Sequence, residues 1–367
     1  SLAERSCLAV GDPFPGFFLP RMIEKTAQRL SVRFELVDSN GLLPLNAAPK
    51  TYLRAVDFRR FLQKSLKPHL KQMPEIDPLK GVELPRLPEN LPEYRRWEPG
   101  LHFELTDLPG PKAVKERGGF VRADKLVTRF LSERLQQYDQ RSEPSLQVAS
   151  GFSRYLHWGH LSAHQVFREL ADAEDFDVDR WRVKTPGSKE GGWGMSANAE
   201  SFLDELITWR ELGYNMCHRE KDYDRYESLP EWARQTLEEH SGDERPHLYT
   251  LQELDEGKTY DPIWNAAQRQ LREEGHIHNY LRMLWGKKIL EWSETPRQAV
   301  DFLIELNNKY SLDGRNPNSY SGIFWCLGRY DRAWFERPIF GKIRYMSSDS
   351  TARKFKLAAY LKRFGEG

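Results

Sequence analysis

Cysteine is scarce in this chain. Cys7, Cys217 and Cys326 are the three present among 367 residues. Their odd number and wide spacing give neither a disulfide framework nor a CxxC metal site, so metal chemistry is not expected. Apolar runs long enough to span a bilayer as a helix, about 18 residues or more, are missing too. The opening segment "SLAERSCLAVGDPFPGFFLPRM" has no cationic head followed by a long apolar stretch, which argues against a secretory signal. A soluble cytoplasmic protein with no membrane partner is the expectation, and the start at Ser1 suggests a trimmed N-terminus. Also absent are GxSxG, HExxH and GxxxxGK[ST], which removes the common nucleophile, zinc-hydrolase and phosphate-loop chemistries.

Charge is nearly balanced, at +1 overall, but unevenly distributed. Between Arg337 and Arg363 there are eight lysines and arginines against one acid, Asp349. Such a patch suits phosphates through counterion release, and a solvated basic face would have the same composition.

Periodicity divides the chain into three. Residues 1–72 contain one α/β unit, with helical spacing in "FLPRMIEKTAQRL" and strand alternation in "VRFELVD" ahead of the turn "SNG". One such unit cannot bury both faces of a strand, so either more strands are expected ahead of residue 1 or the unit is the remnant of a doubly wound layer. Residues 73–122 hold eight prolines between Met73 and Pro111, too many for helix or central strand, and are expected to form a surface connection. From 123 to 367 helical patterns dominate: "KLVTRFLSERLQQY", "SAHQVFREL", "AESFLDELITWREL", "PEWARQTLEEH", "IWNAAQRQLREE", "NYLRMLWGKKILEW" and "PRQAVDFLIELNNKY".

Few positions carry chemistry on their face. His276 and His278, two apart, would point to different sides of a helix and make a poor metal pair. Glu205 and Trp209 are four apart, which stacks a carboxylate and an indole on one helical face. That pair could read a base by hydrogen bond and stacking, or be a half-buried indole beside a solvent acid. Ser150, Gly151 and Ser153 precede a helix expected to be capped by Ser162, and could cradle a phosphate or simply end a loop. Residues 307–322, "NNKYSLDGRNPNSYSG", have turn composition but are long for a connector. Trp264, Trp285 and Trp292 are spaced by 21 and 7 residues; the last two are about 10 Å apart along one helix face. Leucine would fill a core with no N–H to satisfy, yet on spacing alone the three indoles read as bulky core.

Taken in order, "FLDELITWREL", "WNAAQ", "LRMLWGKKILEW", "LNNKYSLDGRNPNSY", "DRAW" and "ERPIFGKIRYM" resemble the FAD-binding domain of class II cyclobutane pyrimidine dimer photolyases. "PRMIEKTAQRLSVRFELVDSNGLLPL" resembles the later part of that family's antenna domain. The resemblance implies a mainly α fold: a large all-helical FAD-binding domain preceded by a partial α/β, Rossmann-like antenna domain. It implies light-driven repair of pyrimidine dimers in damaged DNA by an electron from reduced FAD, in a monomer, with an antenna chromophore left open. The cofactor then does the hard chemistry, in keeping with the missing nucleophile. A cryptochrome-like photoreceptor, photoreducing FAD without repair, is the alternative.

On the matching positions, Trp285 corresponds to the indole beside the flavin, Trp264 to the intermediate one and Trp292 to the surface one of an electron-transfer triad. Glu205, Trp209, Met283 and Trp325 correspond to the wall of the dimer bay. Asn307 corresponds to the asparagine at the flavin N5, and Arg282 and Asp313 to a pair around its ring system. Ser150, Gly151, Ser153 and Tyr155 correspond to the pyrophosphate site. Four positions depart from the family: Arg154 replaces a proline, Asn308 and Asn316 replace acids, and Gln165 replaces an arginine. A less negative flavin pocket and weaker lesion contacts are implied.

Overall fold

A computed structural model describes residues 3–84, 110–181 and 187–365. Most of the proline-rich segment, residues 85–109, lies outside the described residues.

The N-terminal unit is a β-α-β. Strand β1 (Ala9–Gly11) and strand β2 (Phe34–Leu36) pair in parallel with Ala9 opposite Phe34, joined by helix α1 (Leu19–Arg29). Strand β1 is missed by periodicity, because three residues are too few to alternate visibly. Helices α2 (Ala55–Ser65) and α3 (Lys67–Lys71) follow. Their apolar faces, Phe58, Leu62, Leu66 and Leu70, join the core of the helical body.

That body comprises α4 (Phe120–Arg129), α5 (Ser153–His157), α6 (Ala163–Ala173), α7 (Ala197–Leu203), α8 (Arg210–Arg219), α9 (Glu231–Glu239), α10 (Leu251–Glu256) and α11 (Pro262–Glu274). It continues with α12 (Asn279–Trp292), α13 (Pro296–Tyr310), α14 (Pro317–Trp325), α15 (Ser348–Lys354) and α16 (Ala358–Phe364). Several starts are written locally. Asp261 caps α11 and Thr295 caps α13, each followed by proline at the first helical position; Thr250 and Glu253 form a capping box on α10. Ser162 caps α6 as expected, its hydroxyl accepting the His164 N–H.

Two close approaches position the site. Gly275 ends α11 at φ +68°, and a Cβ there would stand 2.5 Å from Leu312; its carbonyl accepts the Leu312 N–H at 2.8 Å. Gly286 lets α12 approach the end of α14, where a Cβ would meet Cys326 Sγ at 2.5 Å. Helix α12 is consequently surrounded, with Leu281, Leu284, Trp285, Gly286, Lys287 and Ile289 all buried.

The expected long loop at 307–322 is short in the structure. Helix α13 runs through Asn307 to Tyr310, and α14 starts at Pro317 with Asn316 as its cap, so six residues, 311–316, connect them. An asparagine cap followed by proline is a helix start, and in a run of turn-forming residues it reads as loop.

The N-terminal segment is clamped to α8 by Glu211, 4 % exposed, which accepts the N–H of Leu42 at 2.7 Å and of Leu43 at 3.2 Å. Burial pushes its carboxyl up to about 7, outweighing Arg210 and the two N–H donors. A carboxyl raised on folding stabilises fully below its ordinary value, and the contribution is lost as pH rises through about 7. Stability, and with it the melting temperature, is expected to fall as pH rises from about 4.5 to about 7, by up to about 3 kcal/mol in total. Glu211→Gln should flatten that dependence, as read by thermal denaturation across pH.

Candidate flavin and lesion site

Glu205 and Trp209 sit on a π-helical turn, Asp204–Trp209, inserted between α7 and α8. Their four-residue spacing implies an ordinary α-helix; instead the Arg210 N–H bonds the Glu205 carbonyl, five residues back. Wide turns of this kind concentrate at functional positions. The turn is braced by Asp204, whose carboxylate takes Arg59 of α2 at 2.6 and 2.9 Å, both side chains buried. Leu206, Ile207 and Thr208 point inward, while Glu205 and Trp209 are half-exposed. The Glu205 carboxylate receives Arg141 at 3.3 Å. Burial raises its pKa, and the Arg141 charge works against that rise. Arg141 is held by stacking over Tyr138 at 4.9 Å, and its carbonyl lies 2.9 Å from His278 Nε2. Nothing in the sequence distinguishes Arg141, because its partner is 64 residues away.

The three indoles are in contact. Trp264 and Trp285 lie parallel, 4° apart, with centroids at 6.3 Å; Trp264 and Trp292 meet edge to face at 5.5 Å. Trp264 Nε1 donates to the Trp285 carbonyl at 3.0 Å, and Trp285 Nε1 to Gln268 Oε1 at 2.9 Å. Trp292 is not the surface member expected: it is 0 % exposed, covered by Tyr249 and Tyr260 at 5.3 and 5.7 Å. Its Nε1 has no hydrogen-bond partner among the described residues. Tyr260, 53 % exposed, carries the aromatic contact outward. Tyr249, just before the cap of α10, and Tyr260, in the turn before α11, supply that cover, which the tryptophan spacing does not show.

Met283 and Trp325 are half-buried. The Trp325 ring lies 5.0 Å from Lys287 Nζ and 5.5 Å from the Arg344 guanidinium. Lys287 is fully buried, donates to the Cys326 carbonyl at 2.7 Å, and is pushed down to about 8 by burial. Two adjacent lysines in an otherwise apolar helix are the signal that sequence reasoning passed over.

Around the 311–316 loop the structure brings together Ser153, Arg282, Asp313, Asn307 and Asn308. Asp313 would be raised by burial, yet Arg282 and hydrogen bonds from Ser311 and Ser153 hold it below the ordinary carboxylate range. Trp158 pins the loop by donating its Nε1 to the Leu312 carbonyl at 2.8 Å. Asn307 is 4 % exposed, and its amide makes one long contact, 3.4 Å to Asn308 Oδ1. Asn308 Oδ1 accepts the Arg315 N–H at 2.8 Å, so the amide keeps the loop contact a carboxylate would make.

Ser150 and Gly151 form the half-exposed turn into α5. Tyr155, placed with them by resemblance, instead turns into the core at 2 % exposure. Its hydroxyl is engaged by the Glu116 carboxylate and, at 3.0 Å, the Arg117 carbonyl. Arg154, beside it, also reaches Glu116, at 3.5 Å. Gln165 donates to Asp124 and Glu169 at 3.0 and 2.9 Å, an amide taking contacts that would suit a cation. The basic C-terminal stretch is partly neutralised, with Arg344 on Asp331 and Arg363 on Glu274.

A half-open wall with a guanidinium, a carboxylate, an under-bonded buried amide and a serine-glycine turn fits FAD, whose ring edge both donates and accepts. Residues 202–290 match the family model for the FAD binding domain of DNA photolyase. The chain is thus a flavoprotein built around an FAD-binding helical domain. It is 35 % identical over 348 residues to a deoxyribodipyrimidine photo-lyase of Methanothermobacter thermautotrophicus, covering 93 % of this chain and 70 % of the relative. Photo-lyases of Oryza sativa subsp. japonica (35 % identity, 89 % of this chain, 62 % of the relative) and Potorous tridactylus (40 %, 75 % and 52 %) are also similar. In fold it is similar to a class III photolyase of Agrobacterium tumefaciens, with TM-score 0.64 at 16 % identity over 98 % of this chain and 68 % of that one. The chain belongs to the deoxyribodipyrimidine photolyase family.

The buried Arg59–Asp204 pair makes the π-turn dependent on α2. Arg59→Met alone should destabilise by about 3–5 kcal/mol, because it strands a buried carboxylate. Adding Asp204→Leu should recover most of that loss in chemical denaturation.

Proposed function

We propose that this chain repairs cyclobutane pyrimidine dimers in DNA under light, in the manner of the class II photolyases its motifs resemble. The observation that supports repair is the Glu205–Trp209 pair, exposed together on a π-turn whose other side chains are buried. A carboxylate that accepts hydrogen bonds and an indole that stacks are what an extruded pyrimidine dimer requires. Met283 and Trp325 supply apolar wall to the same bay, and Arg141 favours the ionised form of Glu205 and orients it until a substrate edge replaces it.

FAD, once bound and reduced, supplies the light-excited electron that splits the cyclobutane ring. Ser150, Gly151 and Ser153 would hold its phosphates, and Arg282, Asp313 and Asn307 its ring system. Asn307 presents a neutral amide there, able to donate from Nδ2 or accept at Oδ1 without changing charge. Trp285, Trp264 and Trp292 offer an unbroken path of oxidisable rings from beneath Tyr260 inward. That path alone would serve a photoreceptor equally; the exposed acid and indole favour repair.

Purified protein should carry FAD and, under blue light, restore an oligonucleotide containing a thymine dimer. Glu205→Ala should lower repair about 10–100-fold, the cost of one or two hydrogen bonds to substrate, with flavin content unchanged. Photoreduction without repair in the wild type would overturn the proposal in favour of a photoreceptor. Trp285→Phe should slow photoreduction at least about tenfold while leaving repair by chemically pre-reduced enzyme intact, since phenylalanine is far harder to oxidise. Transient absorption and a dimer-restoration assay separate the two.

A further inference from the structure

Asn316 is subject to two constraints at once. As the cap of α14, its Oδ1 accepts the Asn318 N–H at 3.0 Å, which settles which end of the amide points where. The NH2 end therefore faces Nδ1 of His157 at 3.0 Å and the Tyr214 hydroxyl at 3.2 Å. An amide nitrogen only donates, so Nδ1 of His157 must accept. Arg210 Nη2 also donates to the Tyr214 oxygen, at 3.3 Å, so hydrogen bonds converge on that hydroxyl from two sides.

The imidazole is half-buried. Phe14 and Trp158 pack edge-on at 6.2 and 5.1 Å. The charges bearing on it are Asp313 and Arg315 of the connecting loop. Burial draws its pKa below the ordinary histidine range, with Asp313 opposing and Arg315 assisting.

We infer that Asn316 is a positioning residue that fixes His157 as a neutral imidazole protonated on Nε2, so that the charge around the 311–316 loop does not follow pH. A carboxylate at 316 would keep the helix cap and reverse the rest. It would accept from both Nδ1–H and the Tyr214 O–H, and would stabilise the imidazolium. An acid at 316 would therefore leave the backbone in place and invert the direction of the hydrogen bonds behind it. The state of His157 rests on protein groups alone; its bearing on the flavin rests on the proposed cofactor site.

Histidine ¹⁵N NMR of the full chain tests this, with His157→Gln assigning the resonance. In the wild type the expected pattern is bare Nδ1 and protonated Nε2, with a midpoint below that of exposed histidines. Asn316→Asp, which retains the cap, should raise the midpoint by about one pH unit or more, a tenfold gain in proton affinity. Asn316→Ser, which caps but cannot reach the ring, should give mixed tautomers. Protonated Nδ1 in the wild type, or an unchanged midpoint in Asn316→Asp, overturns the inference. If the Asp variant does not fold, a single unchanged tautomer in Asn316→Ser overturns it instead. The readout needs neither light nor flavin, so failed photoreduction alone would count against the flavin reading.

Discussion

Helix α12 is buried continuously from Leu284 to Leu290, and the arrangement of the candidate site follows from that constraint. A helical stretch with no wet face needs partners for the polar groups it carries. Lys287 finds the Cys326 carbonyl and Lys288 finds Glu291 at 2.8 Å. Trp285 finds Gln268 on α11. Two of these requirements fix a neighbour, so α11 and the end of α14 are placed by α12 as much as by their own patterns. Arg282, Met283 and Trp285 then occupy defined positions on one rigid element, the kind of support a functional constellation needs.

The same burial decides what the inner indoles can do. Both bonded N–H groups, of Trp264 and Trp285, end on amide carbonyl oxygens, which are very weak bases. An indole oxidised there would keep its proton, and positive charge would pass to the next ring without leaving an ion behind. Lysines also lie close to Trp325 and Trp292, but on different terms. The Lys288 ammonium beside Trp292 is paired with Glu291, whereas Lys287 beside Trp325 contacts a carbonyl.

Much of this was legible in the sequence, and the rest was hidden for identifiable reasons. Helices α12 and α13 have the bounds their apolar spacing implies, because proline, threonine and histidine mark their ends. The contact of Trp264 with both other indoles follows from adjacent helices. Strand β1 was too short to show a period, and the start of α14 was masked by the turn-forming residues that cap it. The depth of Trp292 depends on Tyr249 and Tyr260, 43 and 32 residues earlier in sequence. The inward turn of Tyr155 depends on Glu116, and the partner of Glu205 on Arg141. Contacts of that range are decided by packing, and no local pattern records them.

The π-turn at Asp204–Trp209 also has a consequence for register. One extra residue in a helical turn advances everything after it by about 100° of rotation. With that offset, Asp204 meets α2, Glu211 meets the Leu42–Leu43 backbone, and Glu205 and Trp209 are left facing outward between them. Removing a single residue from the turn would restore a regular helix and rotate α8 so that these assignments no longer coincide. The outward-facing pair and the two inward clamps are thus phases of one helix, and a change of length at this point alters all three together.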